Sequence, residues 1–524
     1  MAAKKVAIIG GGPSGLTTLK ECLDNGLDAV VFEGRNGIGG QWRYEDPAPE
    51  TDDAVSSIYE GVILNSARDT SCYSDFPIDP AQYPTYFSHR RMLNYLEDYA
   101  SHFGLGKYIQ LNTKVTPCNQ LPDGRWTVVH EFFPRGDSSV MCTGGRPDLR
   151  GKRLPSLVFG SSAVDLACEL VPVAKEVHMV TRRGGWIIPR YVIGQPLESY
   201  DSSSNMCVSS LSNLKGQTLD RVAETLLPDS LSKWVQTKIM DFAIGKHPEV
   251  IKPDHKILQA SVTVHSNLIE FINVGKVKVH RATVKQFTET SLVLTNDTEL
   301  DVDVVICCTG YHMDMPYLPK ETYHVKDNPI LKSPNTLDLY KLVVSPRFPN
   351  LFFIGCVELP GPLFPVAESQ ARWASGIVTG KVKLPSADEM TRQVKEYQAN
   401  LTKTRYLETK IAISQQTLLT KFQMVVSDRH TINVHFLPYC DSLLADLDAN
   451  PTFARLLHRL VTSNPFRAFA VLKAVYFGIN SPAQYRLFGH GRKPELAAAT
   501  LTRLAAGTGI SEKEKALMDD DANS

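Results

Sequence analysis

The sequence contains little that is typical of a membrane-spanning, secreted or nucleic-acid-binding protein. No window reaches about eighteen unbroken apolar residues, so we expect no membrane-spanning helix. The N-terminal apolar run before the first glycines is too short for a signal peptide. The formal net charge is zero, so no overall field attracts nucleic acid or an anionic membrane. These absences favour an intracellular protein that binds no nucleic acid.

Cysteine and histidine give no sign of cross-links or metal sites. The ten cysteines include no C-x-x-C pair, which favours a reducing compartment over a disulfide framework. The fourteen histidines form no cluster with metal-ligand spacing, so we predict no metal site. With 524 residues, the chain is too long for one core, and its 43% hydrophobic and 21% charged residues are ordinary for globular proteins. We therefore expect two or three globular domains.

The N-terminus carries a dinucleotide-binding pattern. The stretch KKVAIIGGGPSGLTTLKECLDNGLDAVVFEG predicts a strand, a glycine turn, a helix and a second strand. Three glycines have the G-x-G-x-x-G spacing, which lets a pyrophosphate approach the N-terminus of the helix. The residues expected at this phosphate site are Gly10, Gly11, Gly12, Pro13, Ser14 and Gly15.

An acidic residue at the end of the second predicted strand indicates which dinucleotide binds. Glu33 follows Gly12 by 21 residues, where a carboxylate accepts hydrogen bonds from ribose hydroxyls and repels a 2′-phosphate. This charge favours FAD or NAD over NADP. The next segment, GRNGIGGQW, resembles the E-x(5,6)-GG-x-W signature of flavoprotein monooxygenases, which favours FAD and adds Gly40, Gln41 and Trp42 to the site.

A second unit of the same kind ends in the opposite charge. SLVFGSSAVDLACEL predicts a strand, a turn and a helix. Arg182 follows Gly160 by 22 residues, and a guanidinium at that place can bind a 2′-phosphate bidentately. Arg182 and Arg183 therefore predict NADPH rather than NADH here. The candidate cofactor residues at the turn are Gly160, Ser161, Ser162, Ala163, Val164 and Asp165, the last expected in the first helical turn, where a carboxylate suits the helix dipole.

Several segments, in the same order, resemble the flavin-containing monooxygenases of the dimethylaniline N-oxide-forming type. They include SSIYEGVILNSARDTSCYSDFP, TRRGGWIIPR, DVDVVICCTGY, LYKLVVSPRFPNLFFIGCVELPGPLFPVAESQARW and YFGINSPAQYRLFGHGRKPELA. The resemblance covers most of the chain. It implies an α/β fold with two Rossmann-like dinucleotide-binding domains and a mainly helical C-terminal region. The expected boundaries are 1–148 and 311–385 for a discontinuous FAD domain, 149–310 for the NADPH domain, and 386–524 for the helical region with a polar tail.

The resemblance also implies an NADPH- and FAD-dependent monooxygenase. In that family NADPH reduces FAD, dioxygen forms a C4a-hydroperoxyflavin, and one oxygen atom passes to the nitrogen or sulfur of a small-molecule nucleophile. Asn65 occupies the place of an asparagine that faces the flavin and the nicotinamide, so we expect it to be catalytic. The other residues that the resemblance adds to the cofactor site are Leu64, Ser66, Thr309, Gly310 and Gln370, the last near the flavin at a helix start.

Three departures from the family pattern lie in or before the second unit. Val158 stands at the first glycine position, and Pro155 removes a backbone donor from the preceding strand. The run from Gly144 to Gly160 spans only 16 residues, and the family's F-x-G-x-x-x-H motif is missing. Two alternatives therefore stay open: an uncoupled NADPH oxidase that produces hydrogen peroxide, and a catalytically impaired flavin-binding paralogue that acts as an interaction protein.

The C-terminal region raises the question of membrane contact. The segment from Phe453 to Phe477 is amphipathic, and we expect a core-facing helix pair, with contact to a membrane surface as the alternative. The expected location is cytoplasmic, or peripheral on the endoplasmic reticulum membrane. The expected partners are dioxygen and a small amine or sulfur substrate, and the sequence leaves the oligomeric state open.

Overall fold

The computed structural model describes most of the chain. The described residues are 4–44, 58–132, 150–157, 160–192, 195–196, 245–255, 262–310, 313–323, 330–333, 336–359, 361–403, 431–434 and 436–505. The helices are α1 (Pro13–Asp24), α2 (His89–His102), α3 (Ser161–Leu170), α4 (Leu268–Asn273), α5 (Lys320–Tyr323), α6 (Leu363–Val378), α7 (Ala387–Lys403), α8 (Phe436–Leu444), α9 (Phe453–Thr462), α10 (Pro465–Phe477) and α11 (Pro494–Ala505).

The strands are short and fall into several small sheets. They are β1 (Lys5–Ile9), β2 (Asp28–Phe32), β3 (Ile109–Gln110), β4 (Thr113–Val115), β5 (Asn119–Gln120), β6 (Trp126–Thr127), β7 (His130–Phe132), β8 (Arg153–Leu157), β9 (Glu176–Thr181), β10 (Ile187–Ile188), β11 (Tyr191–Val192), β12 (Gln195–Pro196), β13 (Thr263–Val264), β14 (Val277–Arg281), β15 (Val284–Phe287), β16 (Ser291–Leu294), β17 (Glu299–Asp301), β18 (Ile306–Cys307), β19 (Leu331–Ser333) and β20 (Thr336–Leu337).

The N-terminal unit is a parallel sheet with a crossover helix. β2 lies between β1 and β3, and α1 connects β1 to β2. The hydrogen-bond ladder continues into the turn, where the Gly10 N–H donates to the Phe32 carbonyl at 2.8 Å. α1 packs against α6, a helix from much later in the chain. The first predicted βαβ unit is therefore confirmed, and a distant helix covers it.

The second unit is a four-stranded parallel sheet in the order β14, β9, β8, β18. α3 and α4 pack on one face over Leu154, Met179 and Val277. Pro155 pairs with His178 of β9, but β18 starts to pair only at the next residue of β8. The missing N–H of the proline thus falls just before this ladder begins, although the chain leading into β18 already contacts β8, since the Asp303 N–H donates to the Arg153 carbonyl at 3.0 Å.

The C-terminal region is mainly helical, as predicted. α8 packs against α6, while α9, α10 and α11 share a small core of their own. Within that core, Leu456, Val471 and Leu501 are almost fully buried. The predicted packing of the Phe453 to Phe477 segment as a helix pair is confirmed by these contacts.

A buried charge network fastens this region to the N-terminal unit. Nη2 of Arg486 lies 2.6 Å from both Glu21 of α1 and Glu368 of α6, and 3.2 Å from Asp75. Lys20 adds a second positive charge, in contact with Glu21 at 3.0 Å and with Asp75. Each of these side chains is at most 4% exposed. The network joins residues from four places in the chain, from α1 to the turn after α10.

Candidate functional site

Two glycines at the first turn, Gly15 and Gly40, have no room for a side chain. A Cβ atom on Gly15 would lie 1.9 Å from the Gly10 carbonyl oxygen, and one on Gly40 would lie 2.9 Å from the Gly12 Cα. Gly10 has φ +99°, a conformation that favours glycine. Gly12 caps α1 without a side-chain hydrogen bond, so the N–H groups of the first helical turn face outward. This is the geometry of a phosphate cradle.

Glu33 lies directly beside this turn. Its Oε2 accepts a hydrogen bond from the Gly11 N–H at 2.6 Å, and its Oε1 accepts one from the Arg35 N–H at 2.8 Å. The side chain is 7% exposed, so these two N–H groups fix its position at the end of β2. Each carboxylate oxygen keeps further acceptor capacity for a ligand hydroxyl.

The GG-x-W segment closes over the turn. The Gly39 N–H donates to the Gly11 carbonyl at 3.0 Å, and Arg35 donates to the Gly40 carbonyl at 2.7 Å. Gln41 and Trp42 follow in a short 3₁₀ turn that begins at Gly40, and the Trp42 ring meets Phe364 edge-on at 6.1 Å. The glycine turn of the first βαβ unit and the GG-x-W segment therefore form one wall of the candidate site.

Residues from α6 and from the loop before it complete that wall. A Cβ atom on Gly355 would lie 2.4 Å from the Ser14 hydroxyl, so this late segment touches the first turn. Gln370 is fully buried, accepts from the Gly355 N–H at 2.7 Å, and donates to the Tyr439 hydroxyl at 2.7 Å. It lies in the middle of α6, so the expectation of a helix start was wrong. Because its amide already has two partners, Gln370 supports Gly355.

The second turn is open. A Cβ atom on Gly160 would meet no described atom within 4 Å, and α3 has no side-chain cap at its N-terminus. Ser161 and Ser162 are exposed, while Ala163 and Val164 are fully buried against the sheet. Val158 and the short run from Gly144 that precedes this turn lie outside the described residues.

Basic and small residues share the edge of the sheet that carries this turn. Arg182 and Arg183 follow β9 directly and are exposed. Thr309 and Gly310 follow β18 and are also exposed. Because the four strands are parallel, these residues lie at the same edge as the N-terminus of α3.

Asp165 differs from its expected role. It is the fifth residue of α3, beyond the first turn, and its Oδ2 accepts a hydrogen bond from the Tyr59 hydroxyl at 2.7 Å. Burial raises the pKa of Asp165, and the bond from Tyr59 and the positive charge of Arg190 partly oppose that shift. Burial lowers the pKa of the neighbouring His265 to about 4. The carboxylate thus joins two parts of the chain and does not cap α3.

Asn65 lies on the segment that carries Tyr59. Arg190 Nη2 donates to its Oδ1 at 2.9 Å, and the Leu64 carbonyl accepts from the same guanidinium at 3.3 Å. Leu64 is 4% exposed, and the Ser66 hydroxyl lies 2.6 Å from that of Ser71. Sequence reasoning missed Arg190 and Tyr59, because only the fold brings them to these partners.

The described residues contain one cluster with metal-ligand geometry, Glu21, Asp75 and Glu368. All three carboxylates already contact Arg486, and two of them contact Lys20. Two cations in the cluster supply the charge that a metal ion would supply. We therefore regard this cluster as an ion-pair network between elements.

Both turns fit the dinucleotides that the sequence indicates. At the first, close backbone contacts at Gly15 and Gly40 leave no room for a side chain, and the adjacent carboxylate suits a ribose. At the second, the open helix N-terminus and the two exposed arginines suit a pyrophosphate with a further phosphate.

Comparison with known proteins agrees with this arrangement. The family described as flavin-binding monooxygenase-like matches residues 3–144 and 145–508. The chain is 32% identical to flavin-containing monooxygenase 5 of Mus musculus, over 94% of this chain and 90% of the relative. It is 29% identical to dimethylaniline monooxygenase [N-oxide-forming] 2 of Oryctolagus cuniculus over the same shares.

Solved structures show the same fold. The S-allyl-L-cysteine S-oxygenase of Allium sativum superposes with a TM-score of 0.57 at 19% identity, covering 97% of this chain and 99% of that one. The OTEMO complex with FAD and NADP gives a TM-score of 0.54 at 16% identity, covering 85% and 98%. The predicted α/β fold with two Rossmann-like domains and a helical C-terminal region is confirmed.

The chain belongs to the flavin-binding monooxygenase-like family. It is therefore a flavin-dependent oxidoreductase that uses FAD and NADP(H), and these comparisons do not favour the two alternatives, an uncoupled oxidase and an impaired paralogue. Among the described residues, no helix has both the length and the apolar character needed to cross a membrane.

Proposed function

We propose that the protein uses NADPH, FAD and dioxygen to transfer one oxygen atom to the nitrogen or sulfur of a small molecule. The observation that carries this proposal is the charge contrast between the two turns. The first ends in the buried carboxylate of Glu33, and the second ends in the exposed Arg182 and Arg183. A carboxylate selects a dinucleotide without a 2′-phosphate, and arginines select one with it.

In this proposal the first turn holds FAD. The N–H groups at the N-terminus of α1 bind the pyrophosphate, and Glu33 binds ribose hydroxyls. Gly40, Gln41 and Trp42, which pack against this turn, would also contact the dinucleotide. Gln370 holds Gly355 next to Ser14, which keeps the backbone at this wall close to the cofactor.

The second turn binds NADPH through the N-terminus of α3 and the two arginines. Ser161 and Ser162 present exposed N–H and hydroxyl groups, and Gly160 leaves space for a phosphate. Thr309 and Gly310 border the same edge. Asn65, which contacts Arg190 of the second unit, would donate a hydrogen bond where flavin and nicotinamide meet. Bound FAD supplies the redox and oxygen chemistry, and these residues orient it and exclude water.

Anaerobic reduction followed by oxygenation tests the proposal. The purified flavoprotein is mixed with NADPH without oxygen, and the visible flavin absorbance is followed. Oxygen is then added with a tertiary amine or a thioether, and product and hydrogen peroxide are measured per NADPH. Oxygenated product supports the proposal. Peroxide alone identifies an uncoupled oxidase, and no bleaching by NADPH identifies an impaired paralogue.

We also propose that the protein contacts a bilayer surface peripherally, as on the endoplasmic reticulum, through α9 and α10. Phe453, Leu457 and Val461 are four residues apart, so they line one face of α9, and each is about half exposed or more. On α10, Phe466 is 87% and Phe469 is 60% exposed. Exposed apolar side chains of this size, with basic residues on the same helices, are typical of interfacial helices.

A further inference from the structure

Arg190 contacts the Asn65 segment through three hydrogen bonds. Its Nη2 donates to Asn65 Oδ1 at 2.9 Å and to the Ile63 carbonyl at 3.4 Å, while its Nε donates to the Leu64 carbonyl at 3.3 Å. Arg190 belongs to the second unit, two residues after β10. One guanidinium therefore donates hydrogen bonds to three consecutive residues from another part of the chain.

This contact determines how the Asn65 side chain is oriented. A guanidinium has donors only, so the atom of Asn65 that faces Arg190 must be the carbonyl oxygen Oδ1. The amide nitrogen Nδ2, with its two N–H groups, then points away from Arg190. A free asparagine amide can flip by half a turn, whereas this one has a single orientation.

Other contacts hold Arg190 in place. The Tyr86 hydroxyl donates to the Arg190 carbonyl at 2.8 Å, and the Tyr86 ring meets Tyr191 edge-on at 5.1 Å. Asp165 provides negative charge nearby, and Arg190 in turn opposes the rise in its pKa. Arg190 is thus anchored from both units, and its position depends on how they meet.

We propose that Arg190 is a positioning residue that fixes the Asn65 amide with its N–H groups toward the bound cofactors. This inference rests on the proposed function, because it assumes that Asn65 donates where flavin and nicotinamide meet. Loss of Arg190 would free the amide to rotate and present Oδ1 instead. The expected consequence is weaker retention of NADP⁺ and more peroxide released in place of product.

The test compares Arg190→Met, Arg190→Lys and Asn65→Ala, and the double variant Asn65→Ala/Arg190→Met, with the wild type. Arg91→Met is the matched control, since Arg91 also donates to a backbone carbonyl, that of Gln82 at 2.9 Å, but lies on α2. The first readout is the change in the visible spectrum of bound FAD on titration with NADP⁺, and its Kd. The second is the ratio of hydrogen peroxide to oxygenated product.

For Arg190→Met we expect about a tenfold higher Kd for NADP⁺ and about a tenfold higher peroxide ratio, the size expected for one lost charge-assisted hydrogen bond. Arg190→Lys should give values between those of Arg190→Met and wild type, because the single ammonium nitrogen can still donate a hydrogen bond. In the Asn65→Ala background, Arg190→Met should change the Kd and the peroxide ratio little further, because the amide that it orients is already absent. Melting temperature and FAD content should match those of Arg91→Met.

Two outcomes overturn the inference. If Arg190→Met behaves like Arg91→Met in the NADP⁺ titration, Arg190 does not orient Asn65. If its effect adds fully to that of Asn65→Ala, it acts by another route. If Arg190→Met loses FAD, the NADP⁺ titration of Arg190→Lys is compared with that of wild type instead, and equal Kd values overturn the inference. Failure of the proposed function is separate, because the wild type would then form no oxygenated product while the spectral titration still measures the coupling.

Discussion

At the scale of single residues, the glycines of the first turn differ in what they do. Gly10 provides a positive φ, whereas Gly15 provides space, because the Gly10 carbonyl oxygen occupies the place of its side chain. A flexible neighbour could move aside, but a backbone carbonyl in a tight turn cannot. Gly15 is therefore the position in this turn least able to accept a methyl group.

Gly15→Ala should abolish stoichiometric FAD binding, because the 1.9 Å overlap with the Gly10 oxygen forces the turn and α1 apart. Overpacking of this kind costs about 1–3 kcal/mol or more. The ratio of flavin to protein absorbance and the melting temperature measure the change. Gly106→Ala is the control, since a Cβ there meets nothing within 4 Å. Normal FAD content in Gly15→Ala would contradict the cradle geometry.

The proposed function assigns the choice of nicotinamide cofactor to the arginines after β9. Arg182→Ala should raise the KM for NADPH by about tenfold or more, since a charge-assisted bond to the 2′-phosphate is lost, and leave that for NADH nearly unchanged. Steady-state NADPH and NADH oxidation measures both constants. Lys278→Ala removes a charge from the neighbouring strand β14 as a control. Equal effects on the two cofactors would refute the phosphate assignment.

At the scale of elements, α9 and α10 each have two faces with different partners. One face packs into the small core with α11, and the other carries large apolar side chains in contact with solvent. Covering exposed Phe and Val side chains of this kind with an apolar phase lowers the free energy. The packing explains why these helices form, and the exposed face explains the proposal that they meet a bilayer.

Val461→Asp and Phe466→Asp should each lower binding to vesicles of phosphatidylserine and phosphatidylcholine by about tenfold, because each replaces an exposed apolar side chain that the bilayer would cover with a negative charge. Co-sedimentation measures the bound fraction. Val274→Asp is the control, since Val274 is 61% exposed in the second unit. Wild-type protein that stays in the supernatant would refute the membrane proposal, whatever the variants do.

At the scale of the whole molecule, the buried charge network holds the C-terminal region against the N-terminal unit. Arg486 follows α10, Glu21 lies on α1 and Glu368 on α6, so their contacts connect the two ends of the chain. Removing one partner of a buried pair leaves an uncompensated charge, which is strongly destabilising. Folding of the C-terminal region is therefore coupled to α1 and α6 of the N-terminal unit.

This coupling predicts a pH dependence of stability. Burial alone would raise the pKa of Glu21, but the charges of Arg486 and Lys20 outweigh it and lower the pKa from 4.5 to about 2. This stabilisation is present above the usual carboxyl pKa of 4.5 and is lost as the pH falls toward the lowered pKa. Acid unfolding should therefore begin below about pH 4.5.

Glu21→Gln tests this assignment. The variant should be less stable than wild type at pH 7, and the difference should shrink between pH 4.5 and 2, since Gln cannot titrate. Denaturant unfolding at several pH values measures both curves. Glu97→Gln is the control, because Glu97 forms a half-exposed pair with Arg43. A constant difference between wild type and Glu21→Gln across the acid range would contradict the pKa shift.

The sequence alone determined the two dinucleotide-binding units and the kind of protein. Glycine spacing, strand and helix periodicity, and the residues Glu33, Arg182 and Arg183 are local properties, because each βαβ unit places its turn and its second strand end at fixed distances along the chain. The site residues themselves stay predictions, to be tested by the variants above.

Only the tertiary structure decided which distant residues meet. Arg190 reaches Asn65, Tyr59 reaches Asp165, and Gln370 lies inside α6 beside Gly355, although no spacing in the chain relates these pairs. Such contacts depend on how separate elements pack, and periodicity within one element carries no information about its neighbours. The turns were thus readable from sequence, while the residues that hold the two turns together required the fold.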